Sequence, residues 1–193
     1  MFALFVIALI QVAAAKDLIQ DIGDGKFFRI EKGKCWHNQV TGTSIKYINE
    51  EGDKVTLEEH TTKDCSGKPT STSVLNSTQL QGINWQLKDC PKWTGYLVTD
   101  SDAKCANKDT NTKIYLSDGC HKKSDGTSLK YLIEKSALRE DSYKKANCEE
   151  YDKTAEYGKC DECAKANSGY QFVKCGTVSK MIVAILAVLF FLF

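Results

Sequence analysis

Cys160-Asp161-Glu162-Cys163 is the tightest cluster of reactive side chains in the sequence. A C-x-x-C pair can cycle between dithiol and disulfide, or lend two ligands to a metal. Two features argue against that chemistry here. The preceding residues, YDKTAEYGK, lack the pattern of a buried strand that would present the pair. Two acids between the sulfurs also raise thiol pKa values by repelling a further negative charge. The expectation is that Cys160 and Cys163 bond to different partners. His37 and His121 follow closely on Cys35 and Cys120. Cysteine and histidine can ligate zinc, but a zinc site needs four ligands, and oxidised cysteines supply none. These two histidines and His60 read as surface-loop residues. No G-x-S-x-G, H-E-x-x-H, P-loop or dinucleotide fingerprint occurs. The chain reads as non-enzymatic, with no catalytic residue, no metal and no cofactor.

Whether the cysteines are oxidised depends on the compartment. MFALFVIALIQVAAA at 1–15 is uncharged, apolar, and closes on an A-x-A pattern ahead of KDLIQD. It reads as a secretory signal peptide, with Lys16 as the first mature residue. MIVAILAVLFFLF at 181–193 is shorter than the about 20 residues of a spanning helix. Small residues, a polar spacer of about 8–12 residues and an apolar tail signal a GPI anchor. Asn167-Ser168-Gly169, then YQFVKCGTVSK, then the tail fit that order. Asn167 is the expected attachment residue and 168–193 the propeptide. Cys175 or Gly176 is the alternative, with only VSK as spacer, and a short transmembrane anchor is a further one. The expected location is the outer face of the plasma membrane, with the lipid anchor holding the protein there. A secreted form is a variant.

Nine cysteines in a secreted chain imply a disulfide framework. Removal of Cys175 with the propeptide would leave an even eight. Lys+Arg and Asp+Glu nearly cancel, 26 against 25, and are well mixed. No basic stripe marks a nucleic-acid surface, so no nucleic-acid partner is expected. SGKPTSTSVLNSTQ at 66–79 reads as an exposed loop carrying the sole N-glycosylation sequon, at Asn76.

The chain repeats itself. GTSIKYI at 42–48 returns as GTSLKYL at 126–132, each copy downstream of a cysteine, Cys35 or Cys120. The next cysteines, Cys65 and Cys148, lie 30 and 28 residues further on, and Gly-Tyr recurs later in each half. We therefore expect a mainly β fold of two small disulfide-stapled modules, 26–105 and 112–175. Cys35, Cys65, Cys90 and Cys105 in the first would match Cys120, Cys148, Cys163 and Cys175 in the second, leaving Cys160 over. Cys35–Cys65, Cys90–Cys105 and Cys120–Cys148 suit the matched gaps, though four cysteines permit three pairings. FRIE, SIKYI, VTLEEH and GYLVT alternate as strands do. The shared phrase reads as a turn opening a strand, with Ile45 and Tyr47 on one face. The stretch 128–140 reads as strand, and the charged stretch 143–166 as room for a helix.

A leader, Cys-x(5–6)-Gly-Thr-Ser-x-Lys-Tyr, DCSG, a later Gly-Tyr with a cysteine, and an apolar tail resemble the small cysteine-rich surface proteins of amoebic parasites of the Entamoeba type. The resemblance implies a GPI-anchored or secreted coat protein and carries over no catalytic residue. Adhesion, recognition or coat formation is the expected role, with a glycan or protein of another cell as possible ligand. Trp36, Trp85 and Trp93 are the candidate contacts, since exposed tryptophans often anchor binding sites. The competing expectation is a thiol-disulfide or metal-binding protein acting through CDEC.

Overall fold

The computed structural model describes residues 16–38, 41–166 and 169–176. The leader, Asn167 and the apolar tail lie outside the described residues. The fold is mainly β, as expected. Strands β1 (Asp17–Gly23) and β2 (Lys26–Ile30) form a hairpin. A meander follows: β3 (Cys35–His37), β4 (Ser44–Glu51), β5 (Lys54–His60) and β6 (Ser71–Asn76). Helix α1 (Ser77–Gly82) then leads to β7 (Gln86–Lys88), which returns antiparallel to β1. The plan then starts again. β8 (Trp93–Asp100) pairs with β9 (Lys113–Ser117), and a second meander runs through β10 (Cys120–Lys122), β11 (Ser128–Glu134), β12 (Ala137–Tyr143) and β13 (Tyr151–Lys159). β14 (Cys163–Ala166) and β15 (Gly169–Cys175) close it, β15 returning antiparallel to β8.

The pairing pattern thus repeats over 17–88 and 93–175, not over 26–105 and 112–175. Strand β8, expected in the first module, pairs with β9 and β15 of the second copy. The two Gly-Tyr dipeptides are not equivalent positions of the repeat. Gly95-Tyr96 and Gly169-Tyr170 stand instead on neighbouring strands, and Tyr170 faces Asp100. The expected helix in 143–166 is also corrected, since that stretch forms β13 and β14. The short helix lies in the first copy, and the expected 66–79 loop holds β6 and the start of α1.

The outer strands of both copies merge into one seven-stranded sheet, ordered β14-β15-β8-β9-β2-β1-β7. Its seam is β2 against β9, with Lys26 opposite Leu116 and Phe27 opposite Tyr115. Successive residues of a strand face opposite sides, so Ile30, four positions after Lys26, shares a face with Leu116. Both meanders cover that face. The first buries Tyr47 and Val55 against Leu18, Ile30, Leu80 and Trp85. The second buries Leu129, Tyr131 and Leu138 against Leu97, Leu116 and Val173. Gly25 holds the copies together. Its φ of +70° suits glycine, and a Cβ there would lie 2.4 Å from the His121 ring. Its carbonyl accepts the Ser117 N–H at 2.8 Å, and the Asp24 carbonyl accepts the Tyr131 hydroxyl at 2.7 Å.

Candidate functional site

The repeated phrase builds structure. Gly42 and Gly126 both take positive φ, at 71° and 85°, in the turns that open β4 and β11. Asn38 N–H then donates to the Thr43 carbonyl at 2.8 Å, as Lys123 N–H does to Thr127 at 2.9 Å. Both serines and both tyrosines of the phrase are fully buried: Ser44, Tyr47, Ser128 and Tyr131. Ile45 and Tyr47 pack into the same core, as their alternation requires. Burial raises the pKa of the Tyr47 and Tyr131 hydroxyls, so both stay neutral. Tyr47 donates to Glu50 at 2.8 Å.

The serines face a polar row that differs between copies. In the first, Ser44 lies between His37 on β3 and His60 on β5. His37 and His60 are buried rather than on the surface, although their strand positions face away from Ile45 and Tyr47. The Ser44 hydroxyl lies 2.9 Å from His37 Nδ1, while buried His60 Nδ1 has no hydrogen-bond partner. In the second copy Ser128 lies between Lys122 and Tyr143. Its hydroxyl donates to the Lys145 carbonyl and accepts the Cys148 N–H, the latter at 2.9 Å. The Ser44–His37 pair is buried on the meander face opposite Ile45 and Tyr47.

The bridges are Cys35–Cys65, Cys120–Cys148, Cys105–Cys163 and Cys160–Cys175. The first two pairs are as expected. Cys65 and Cys148 even share a left-handed backbone, with φ of 53° and 58°. Cys90–Cys105 is overturned: Cys105 bonds Cys163 and Cys90 is unbonded. Cys160, expected to be the odd cysteine, bonds Cys175. The physical reason is the redrawn boundary, since Cys90 lies in the connection between copies and has no equivalent within one. The CDEC sulfurs do bond different partners, so they form no dithiol pair. Burial pushes the Cys90 thiol pKa up, against the pull of nearby Arg29.

The tryptophans are corrected in part. Trp85 is only 8% exposed and belongs to the core. Trp36 is half-buried against it, with ring centroids 5.5 Å apart and its Nε1 buried without a partner. Trp85 is therefore a core residue rather than a contact. Trp93 opens β8, on the sheet face that no meander covers. There Phe27, Tyr115 and Tyr96 stand side by side in register. Trp93 packs on Tyr115 at 5.5 Å, with the Arg29 guanidinium 5.8 Å from the Tyr115 ring centre. Trp93 also lines an open hollow of about 760 Å³ with Cys90, Lys92, Lys130, Ile133 and Gly176.

Asn76 sits where β6 meets α1 and caps the helix. Its Oδ1 accepts the Gln79 N–H and Gln79 Oε1 accepts the Asn76 N–H, both at 2.9 Å. Only the side-chain oxygen is engaged in that box, and the amide nitrogen that would carry a glycan takes no part in it. Among the described residues, no group of three or more His, Cys, Asp or Glu is placed to hold a metal ion. Comparison with protein-family models, with curated proteins and with solved structures finds no match to this chain.

Proposed function

We propose that this chain is a non-enzymatic protein of the outer cell surface, tethered through its C-terminal segment and acting in recognition or as a coat. The observation that carries the reading is the framework of four disulfides holding two copies of one small β plan. Such bridges persist in oxidising compartments. The leader-like and tail-like ends of the sequence support it further, as does the resemblance to amoebic surface proteins. The glycan on Asn76 belongs to the same reading.

The position of the anchor changes. Attachment at Asn167 would remove β15, which lies between β14 and β8, buries Val173 completely and carries Cys175. We place the lipid after Cys175, at 176–177. The test is treatment of intact cells with phosphatidylinositol-specific phospholipase C, with mass spectrometry of the C-terminal peptide. A lipid-bearing peptide that includes Cys175 supports the reading. A peptide ending at Asn167, or a protein found only in the cytosol with its cysteines reduced, contradicts it.

A further inference from the structure

We infer that the hollow beside Gly176 is the face of the protein that lies against the bilayer. This rests on the membrane-tethered reading above. The chain leaves the fold at a defined point. Gly176 N–H donates to the Thr94 carbonyl at 2.6 Å, and a Cβ on Gly176 would come within 2.8 Å of that oxygen and 2.9 Å of the Trp93 carbonyl. Only glycine lets the backbone lie so close against the start of β8. Four residues, TVSK, separate Gly176 from the apolar run at Met181. Four extended residues reach about 14 Å at most. Whether the run itself is the anchor or a lipid replaces it within 176–180, the peptide tether is no longer than this. Where the apolar run is the anchor, the surface around Gly176 is therefore held near the headgroups; a glycolipid in its place adds only the reach of its glycan.

The composition of that surface suits them. Lys92 and Lys130 are exposed, line the hollow and make no ion pair among the described residues. Asp118 is the acidic residue there, and its carboxylate accepts the Gly119 N–H at 2.8 Å. Arg29 is already bound to Asp17 at 2.8 Å. Half-buried Trp93, Leu132 and Ile133 add apolar surface beside the lysines. Tryptophan with flanking lysine is the side-chain pair that settles at a membrane–water interface: the indole sits at headgroup level and the ammonium reaches the phosphates. The occupant is the phosphocholine-type headgroup layer of the leaflet that holds the tether.

The test uses the full chain in phosphatidylcholine vesicles. Flotation comes first. A chain that does not float with the vesicles overturns the membrane reading, and this face with it. For a floating chain, lysines are labelled with an impermeant amine reagent. Lys92 and Lys130 should react several-fold less than Lys54, Lys68 and Lys153, exposed lysines that do not line the hollow. Equal labelling of all five on a floating chain overturns the face and leaves the tether standing. In a second arm, Lys92→Glu with Lys130→Glu alters two exposed side chains. Quenching of tryptophan fluorescence by brominated phosphatidylcholine should fall severalfold in that variant. Unchanged quenching contradicts the proposed contact.

Discussion

The two copies share a phrase, a bridge and a buried tyrosine, yet they are closed by different means. The first has a single disulfide, Cys35–Cys65. Its return strand, β7, has only three residues, and α1 with Trp85 fills the core beside it. Among the described residues the second has no helix, and it has a long excursion between β8 and β9. Cys105 on that excursion is tied to Cys163, and Cys160 to Cys175 on the return strand. Packing closes one copy and covalent bonds close the other. A small core gains from either, and a bridge gains more when the loop it closes is longer. The difference predicts that each copy has its own weak point.

Trp85→Ala should have the largest effect. It removes a large buried side chain touching Trp36 from the core of the first copy, and should cost about 3–5 kcal/mol. Chemical denaturation read by circular dichroism measures it. A loss below 1 kcal/mol would mean that the helix and Trp85 do not close this copy. Next comes the double change Cys105→Ala with Cys163→Ala, expected to cost about 2–4 kcal/mol. Limited proteolysis of that variant should cut first between 101 and 112, and leave 17–88 intact. First cuts in the meander around Tyr47 would break the contrast between copies.

The serines of the shared phrase sharpen it. Ser128→Ala leaves the part-buried Cys148 N–H without its acceptor and should cost about 1–3 kcal/mol. Ser44→Ala removes only the contact with His37 and should cost less, about 1 kcal/mol. Equal losses would show that the two polar rows do the same job. The smallest effects are at the sequon. Asn76→Ala removes the helix cap and should cost about 1 kcal/mol. Thr78→Ala abolishes the sequon but leaves the cap in place. It should lose any glycan mass with stability unchanged, which separates capping from glycosylation.

The β class, the turn-then-strand reading of GTSxKY and the Cys35–Cys65 and Cys120–Cys148 pairs were legible because they are local. Glycine turns, alternation and cysteine gaps act over a few tens of residues. The seam was not legible. Nothing in FFRI or KIYL announces that these strands from different copies pair with each other, and β8 resembled β15 because it stands beside it. The stretch 143–166 reads as helix for a physical reason. β13 is an edge strand, exposed along most of its length, so it can carry Asp152, Lys153, Glu156 and Lys159. Charges on an edge discourage pairing with other chains, and they also imitate a solvated helix. β6, the edge of the other meander, is polar and exposed enough to read as a loop. His37, His60 and Trp85 gave no local sign of burial, since tertiary packing decides it.

The central claim is that the chain is one β plan written twice, divided at 89–92, with all four bridges inside a copy and Cys90 between copies. The direct measurement is peptide mapping of the native protein, alkylated before reduction. The account predicts Cys35–Cys65, Cys105–Cys163, Cys120–Cys148 and Cys160–Cys175 as linked peptides, with Cys90 carrying the alkyl group once unfolded. A bridge from Cys35 or Cys65 to any cysteine beyond Trp93, or Cys90 found in a bridge, would contradict it.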